Sequence, residues 1–342
     1  MMNTVNRRVW FRERFGRACK RAALLWFAGV SPGGAGQIVK FDPPGSLETM
    51  PAGIDVDGRI AGWYVDANGM GRGFLREIDG TITAFDVKGA ANGSFGLAVD
   101  KKGEIAGWFN DKQDANRGFL RKLNGVFKKF KVANSTETEP RAINDKGWIT
   151  GWYHDDNGNE HGFIRSPRGS LSEFDPPGSI ETSAYSINNS GTIVGGYEIN
   201  SNQYYGFVRS GSGTITTLSV HNSIETDANC INDNGYIVGE YYYNDTFYGY
   251  LRASDGTIAV IEPAGSIETF LSGINDKSFI IGAYNTNEGI QHGFVRSARG
   301  IYTTFDPKGA VDTFPVAINK SGVITGWWAD NNQTVHGFVR TP

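Results

Sequence analysis

The chain has 342 residues, of which 39% are hydrophobic, 13% are aromatic and 46 are glycine. This composition excludes a disordered protein and favours many short strands joined by tight turns. The net charge is −3, but residues 1–40 carry +7, so the rest of the chain carries −10. A body this acidic argues against nucleic-acid or anionic-membrane binding through its folded part.

Residues 1–36 are predicted to be a targeting segment. Arginines come first, residues 22–30 are apolar, and residues 31–36 are small, which is the order of a secretory signal. Arg7 and Arg8 lie in a stretch similar to a twin-arginine signal. Nine apolar residues are too few to cross a bilayer, so we expect no transmembrane anchor. We expect an extracellular or periplasmic protein in which this segment is cleaved or disordered, the alternatives being a basic tail or a misplaced start codon.

A repeat of about 44 residues follows in residues 37–342. Each copy carries a Gly-aromatic-aliphatic-Arg motif, with the aromatic residue at Phe74, Phe119, Phe163, Phe207, Tyr250, Phe294 and Phe338. The fourth copy divides into strand-like segments at 182–188, 192–197, 205–209 and 214–219, separated by Gly, Asn and Ser. Tandem meanders of four short strands predict a β-propeller.

The two ends of the array predict that it closes into a ring. Residues 37–42 match a fourth strand, whereas the chain stops at Arg340 after a third strand. An open array would leave two incomplete units with exposed edges, which promote aggregation. We therefore expect strand 37–42 to pair with the C-terminal strand and complete a seven-bladed, all-β propeller of four-stranded antiparallel blades.

These units resemble the HAF repeat of probable extracellular bacterial proteins, which is named for a His-Ala-Phe motif. The matching triplets are His161-Gly162-Phe163, His292-Gly293-Phe294 and His336-Gly337-Phe338, and the Ile143 to Gly151 and Ile187 to Gly195 stretches are also similar. Glycine replaces the central alanine, and four copies have Arg or Tyr in place of histidine. The resemblance implies an extracellular β-repeat protein and no particular activity.

A basic and an acidic series recur with the repeat. The arginines are Arg76, Arg121, Arg165, Arg209, Arg252, Arg296 and Arg340, and the acidic residues are Glu48, Glu137, Glu181, Glu225, Glu268 and Asp312. A buried arginine without a partner would cost several kcal/mol. We therefore predict structural ion pairs between the two series, the alternative being an acidic ring that binds a cation at the channel mouth.

Tryptophan breaks the symmetry of the repeat. It follows the glycine that ends a G-x-I-x-G-like segment in only four copies, as Trp63, Trp108, Trp152 and Trp327. In a closed ring these copies are consecutive, so the residues would form a half-ring platform for a sugar or another flat apolar ligand. The alternative is that these rings pack between blades.

The sequence gives little support for catalysis. His161, His292 and His336 occupy equivalent positions on different copies and cannot converge on one metal ion, and there is no nucleophile elbow. We expect no metal and no cofactor. The sequence favours a monomeric binding or scaffolding propeller whose partner is a glycan, small molecule or protein. The runner-up is a lyase or lactone hydrolase with its site at the channel mouth, an analogy from the fold alone.

Overall fold

The computed structural model describes residues 36–200 and 203–342; the predicted targeting segment lies outside them except for Gly36. Throughout these two ranges the secondary structure consists of strands and turns, and none of it is helical. No helix that could cross a membrane is therefore found there.

The strands fall into seven consecutive sets of four, which we call units. Unit 1 contains β2 (Ser46–Ile54), β3 (Ile60–Asp66), β4 (Gly71–Arg76) and β5 (Ile82–Phe85). Unit 2 contains β6 (Ser94–Val99), β7 (Ile105–Asn110), β8 (Asn116–Arg121) and β9 (Phe127–Phe130). Unit 3 contains β10 (Glu137–Ile143), β11 (Ile149–His154), β12 (Glu160–Arg165) and β13 (Leu171–Phe174). Unit 4 contains β14 (Glu181–Ile187), β15 (Ile193–Asn200), β16 (Gln203–Arg209) and β17 (Ile215–Leu218).

Unit 5 contains β18 (Glu225–Ile231), β19 (Ile237–Tyr243), β20 (Thr246–Arg252) and β21 (Ile258–Ile261). Unit 6 contains β22 (Glu268–Ile274), β23 (Ile280–Asn285), β24 (Gln291–Arg296) and β25 (Tyr302–Phe305). Unit 7 contains β26 (Asp312–Ile318), β27 (Ile324–Ala329), β28 (Val335–Arg340) and, from the other end of the chain, β1 (Ile38–Phe41).

Within each unit the four strands pair antiparallel in order. In unit 7, β1 pairs with β28, with Ile38 opposite Arg340 and Phe41 opposite Gly337. This is the pairing that the sequence predicted for strand 37–42. The first strands of successive units also contact one another, and β26 contacts β2, so the first-strand contacts run through all seven units and return to the first.

The turn after each first strand is built by an Asn or Asp side chain. In unit 4, Asn188 Oδ1 accepts hydrogen bonds from the backbone N–H of Ser190 at 3.1 Å and of Thr192 at 2.9 Å. Gly191 takes the left-handed conformation that closes this turn, with φ of +84°, which is accessible to glycine at little cost. The Ile-Asn-x-x-Gly motif therefore encodes a hairpin.

Aromatic residues fill the spaces between units. The third-strand aromatic residue of every unit is fully buried. Phe41 on β1 packs edge-to-face on Phe74 of unit 1 at 6.0 Å, and Phe130 packs in the same way on Phe163 of unit 3 at 6.3 Å. Because burial of one aromatic side chain contributes up to about 3 kcal/mol, these contacts hold neighbouring units together.

Candidate functional site

Three positions in each unit form a surface that we call the inner surface. The first position is the residue that follows the buried Thr or Ser of the first strand, and the second is the bulged residue two positions further along the same strand. The third is the residue of the second strand that pairs with the first position. In unit 3, Glu139 pairs with Trp152, and Arg141 is the bulged residue between Pro140 and Ala142. A bulge re-aims its side chain relative to the regular strand.

The inner surface has one apolar and one polar part. The apolar part, in units 7, 1 and 2, comprises Phe314, Val316, Trp327, Met50, Ala52, Trp63, Phe95, Leu97 and Trp108. The polar part, in units 3, 4 and 5, comprises Glu139, Arg141, Trp152, Ser183, Tyr185, Gly196, Asp227, Asn229 and Glu240. Unit 6 contributes Phe270, Ser272 and Ala283. The residues at these three positions therefore differ in polarity from one unit to another, although the units share one fold.

Arg141 is the basic group of the polar part. Its guanidinium lies over the ring of Trp152, 5.1 Å from the centroid, within the range of a cation–π contact. Burial lowers the pKa of Arg141, while the negative charges of Glu139 and Glu160 oppose this change. The guanidinium therefore lies in a partly desolvated environment beside two carboxylates.

The carboxylates of unit 3 are held by hydrogen bonds. Glu139 is buried, with 7% of its surface exposed, and its Oε1 accepts a hydrogen bond from Asn116 Nδ2 at 2.7 Å. His154 lies between Glu137, 3.4 Å from its Nδ1, and Glu160, 3.7 Å from its Nε2. The interaction with Glu137 raises the pKa of His154. Three carboxylates, those of Glu137, Glu139 and Glu160, therefore surround the imidazole of His154 and the guanidinium of Arg141.

Two hydrogen-bonded tyrosines, Tyr185 and Tyr204, lie at the inner surface in unit 4. Tyr185 Oη and Tyr204 Oη are 2.8 Å apart, and burial raises the pKa of both phenols well above its usual value. Tyr204 occupies space that unit 4 leaves open because Gly196 stands where four other units have tryptophan; a Cβ atom on Gly196 would lie 2.4 Å from Tyr204 Oη. Ser183 Oγ, next to this pair, donates a hydrogen bond to Glu160 Oε1.

Unit 5 adds two buried carboxylates. Asp227 and Glu240 are each 5% exposed, and the side chain of Asn229 donates hydrogen bonds to Glu240 Oε2 and to the backbone oxygen of Leu271, both at 2.9 Å. The charge of Asp227 contributes to the raised pKa of Tyr185, so units 4 and 5 share one electrostatic environment. We call the set that spans units 3 to 5 the polar cluster; it consists of Glu139, Arg141, His154, Glu160, Tyr185, Tyr204, Asp227 and Glu240.

The four tryptophans singled out in the sequence all lie on the inner surface. Trp327 is buried, with 5% exposure, and stacks on Phe314 at 5.5 Å. Trp108 stacks on Phe95 at 4.1 Å, and Trp63 makes an edge-to-face contact with the same Phe95 ring at 5.3 Å. Trp63, Trp108 and Trp152 are half-buried. Trp327 also packs against Met50 of unit 1 in a buried cluster, and Trp63 contacts Phe95 of unit 2, so both take part in packing between units. A role in ligand binding for the four tryptophans stays a prediction.

The predicted pairing of the repeated arginines with the acidic series is wrong. Arg165 pairs across the sheet with Ile149, at the beginning of β11, whereas Glu137 pairs with His154 at its end. Five residues of strand separate these levels by about 17 Å, and the same register holds for Arg76, Arg121, Arg209, Arg252, Arg296 and Arg340 against Glu48, Glu181, Glu225, Glu268 and Asp312.

The arginines are stabilised in another way. Arg165 lies over the ring of Phe130 from the neighbouring unit, 4.8 Å from the centroid, and its Nη1 donates to the backbone oxygen of Ser166 at 3.3 Å. Arg76 and Arg340 make the same kind of contact with Phe41 and Phe305, at 5.0 and 4.9 Å. Aromatic stacking and a backbone carbonyl thus replace the carboxylate that the sequence suggested.

The histidines of the HAF-like triplets link the third strand to the residue after the fourth. The Nδ1 atoms of His161, His292 and His336 lie 2.8, 2.7 and 2.8 Å from carboxylate oxygens of Asp175, Asp306 and Asp42, respectively. Unit 1 has Arg72 at the histidine position, and this residue binds Asp86. We call this third-strand to fourth-strand contact the latch. It is a structural feature of the repeat.

The polar cluster was not identified from the sequence. Its residues occupy positions where the copies differ, and nothing in the spacing shows that these positions share a surface. The available signal is the residue after the recurrent Thr or Ser of the first strand, which is apolar in units 1, 2, 6 and 7 but is Glu139 in unit 3 and Asp227 in unit 5. Within residues 36–200 and 203–342, no group of three or more His, Cys, Asp or Glu side chains has a metal-binding arrangement.

Comparison with known proteins shows the fold. No family model matches the chain, and no curated protein matches it. Among solved structures, it is similar to a streptogramin B lyase, with 15% identity and a TM-score of 0.61 over 90% of this chain and 98% of that one. It is also similar to the β-propeller domain of the Trilobed protease from Pyrococcus furiosus, with 10% identity and a TM-score of 0.61 over 86% and 94% of the two chains.

Other similar structures differ in function. A puromycin hydrolase matches with 12% identity and a TM-score of 0.59, over 89% of this chain and 54% of that one. YCF48, in a structure described as bound to D1 peptide, matches with 11% identity and a TM-score of 0.58, over 91% and 98% of the two chains. Both enzymes and a peptide-binding protein therefore share this architecture. At these identities the similarity shows that the chain is an all-β protein with a β-propeller-like fold.

Proposed function

We propose that residues 37–342 form one closed, seven-bladed propeller that binds a neutral, polyhydroxylated small molecule, such as a sugar, on the polar part of its inner surface. The ring is supported by the pairing of β1 with β28 and by the cycle of first-strand contacts. In such a ring the bulged residues of the first strands line a central channel. The observation that carries the functional proposal is the division of this lining into an apolar and a polar part.

The chemistry of the polar cluster limits the ligand. Its four carboxylates outnumber the guanidinium of Arg141 and the imidazole of His154, so an anionic ligand would be repelled. Tyr185, Tyr204 and the carboxylates provide many hydrogen-bonding atoms, and Trp152 provides a ring face. Aromatic faces and convergent polar groups together are typical of sites that bind molecules with both apolar and hydroxyl-bearing surfaces.

Isothermal titration of the folded protein with a panel of neutral mono- and oligosaccharides tests this proposal. Tyr185→Phe removes one hydroxyl group, so we expect a hit to bind about 2- to 10-fold more weakly, as for the loss of one hydrogen bond. Arg168→Gln, at an exposed turn of the neighbouring unit 3, is the control and should leave the affinity unchanged. A panel without hits, or a hit whose affinity Tyr185→Phe does not change, would refute the site.

Catalysis at the same site is the second candidate function. It is favoured by the electrostatic contact of Arg141 with Glu139, Glu160 and Tyr185, because acid–base groups that break a repeat's symmetry are expected of an active site. A lyase or lactone hydrolase would turn over a panel of lactones and lose this activity in Glu160→Gln. If the wild type and Glu160→Gln both bind a ligand without turning it over, ligand binding is the function.

Location in the extracellular space or the periplasm is part of the proposal. It depends on the arginine-rich and apolar pattern of residues 1–36 and on the similarity to HAF repeats. Expression of the full chain with a C-terminal tag, followed by fractionation, tests it. A processed form in the exported fraction is expected, and retention of the full-length chain in the cytoplasm would contradict it.

A further inference from the structure

The folded part of the chain contains one strongly basic region. Residues 87–132, which span unit 2, carry ten Lys and Arg and four Asp and Glu, a net charge of +6 in a chain whose net charge is −3. Lys112, Lys129 and Lys131 of this region are exposed. The overall acidity of the chain therefore hides a local positive potential.

The latch of unit 2 adds to this positive charge because one of its residues differs from the residue at the same position in the other units. The residue after the fourth strand is acidic in five units, as Asp42, Asp86, Asp175, Glu262 and Asp306, and it is Ser219 in unit 4. In unit 2 it is Lys131. The latch of unit 2 thus has a cation where most units have a carboxylate, opposite a third-strand residue, Arg117, that is itself a cation.

Comparison of units 1 and 2 shows what the substitution changes. Arg72 binds Asp66 through Nε and the latch acid Asp86 through Nη1. Arg117 keeps the first contact, with Asp111 at 2.7 Å. Its Nη1 donates instead to the backbone oxygen of Thr136 at 2.9 Å. Arg117 therefore faces one carboxylate, whereas its counterpart Arg72 faces two.

These side chains surround a surface groove. It has a volume of about 430 Å³ and is lined by Lys112, Arg117, Lys129 and Lys131 together with the rings of Phe109 and Phe130. Lys129 Nζ lies 5.0 Å from the centroid of Phe109, which holds this ammonium over the groove. The volume lies within the range of small-molecule sites, about 300–1,000 Å³.

We propose that this groove binds the carboxylates of an acidic polysaccharide, with a sugar carboxylate taking the position that the latch acid holds in five other units. Four cations against Asp111 favour an anion, and Phe130 offers a half-buried ring to a sugar face. The chain outside residues 87–132 carries −9, so a rigid nucleic-acid duplex that extended past the groove would be repelled. A flexible polysaccharide can place one or two units in the groove.

The test measures binding of fluorescent polygalacturonate to the folded protein. Fully methyl-esterified polygalacturonate keeps the sugar chain without its charge, and single-stranded oligothymidylate supplies phosphates. Lys131→Asp places beside Arg117 the acid that five other units have, and it is expected to keep or raise the melting temperature while weakening polygalacturonate binding at least 10-fold. Lys277→Asp, an equal charge change at an exposed turn of unit 6, should change the affinity less than 2-fold.

Lys112→Gln combined with Lys129→Gln gives an independent variant of the groove and should also weaken binding at least 10-fold. The proposal is overturned if polygalacturonate does not bind, if both groove variants bind it as tightly as the wild type, or if Lys277→Asp weakens binding as much as Lys131→Asp. Equal affinity for the methyl ester, or tighter binding of oligothymidylate, would also overturn it. Binding that is specific for the charged polysaccharide and sensitive to both groove variants supports it.

Discussion

Side-chain hydrogen bonds join neighbouring units, and this series is interrupted at the two units that have Asp55 and Asp100 in place of the donor Asn. In five units the Asn that follows the first strand donates from Nδ2 to the backbone oxygen of the equivalent residue in the next unit, for example Asn144 to Asn188 at 2.9 Å and Asn319 to Asp55 at 3.1 Å. Asp100 has Oδ2 at the position of this donor. That oxygen is buried and has no hydrogen-bond partner within the described residues. Asp100→Asn should therefore complete the link from unit 2 to Asn144.

The expected gain combines two effects. A new hydrogen bond contributes about 0.5–1.5 kcal/mol net, and the substitution removes a buried carboxylate. Burial raises the pKa of Asp100, so the folded state favours its protonated form. The contribution of Asp100 to stability is therefore largest at acid pH and falls as the pH rises through the folded-state pKa. Accordingly, Asp100→Asn should stabilise the protein more at pH 7 than at pH 4.

Thermal melts followed by circular dichroism at both pH values measure this difference. A gain of about 1 kcal/mol corresponds to a rise in melting temperature of about 2–4 °C in a large domain. Asn232→Asp, which breaks the intact link to Asn275 (3.0 Å), is the reverse control and should lower the melting temperature at pH 7. A lower melting temperature for Asp100→Asn, or an equal shift at both pH values, would refute the reasoning.

Three further predictions concern contacts between and within units. The hydrogen bond with Asp306 raises the pKa of His292, so the contribution of this latch to stability is complete below the pKa of the unfolded state and is lost as the pH rises through the pKa of the folded state. His292→Gln should therefore lower the melting temperature more at pH 5.5 than at pH 9. Equal losses at the two pH values would contradict this. Arg165→Met should change the free energy of unfolding in urea by less than about 1 kcal/mol, because the methionine keeps the packing on Phe130, whereas a broken buried ion pair would cost about 3–5 kcal/mol. Deletion of residues 36–42 removes β1 and exposes the edge of β28, so aggregation or a lower and broader melting transition is expected; an unchanged transition would contradict ring closure.

Strand positions were predictable because local chemistry determines them. The segments predicted for the fourth copy at 182–188 and 214–219 correspond to β14 (Glu181–Ile187) and β17 (Ile215–Leu218), within one residue at each end. Turn residues and alternating apolar residues are sufficient for this purpose. The pairing of strand 37–42 with the C-terminal strand followed from the offset of the repeat, without any information on contacts.

Side-chain partners were less predictable because they depend on the level along the strand. Arg165 and Glu137 recur with the same period, but one ends a third strand and the other begins a first strand, so antiparallel pairing separates them. The polar cluster required knowledge of the bulge that displaces Arg141 and of the space over Gly196 that admits Tyr204. These are tertiary features, and they occur where the copies of the repeat differ most.

The most direct test of the account is a crystal structure of the protein soaked with the tightest neutral saccharide found by titration. We predict electron density for the sugar against Arg141, Trp152 and Tyr185, with hydroxyl groups in contact with the carboxylates of units 3 to 5. Density confined to the outer loops, or against the basic groove of unit 2 alone, would contradict the assignment of the inner surface as the binding site.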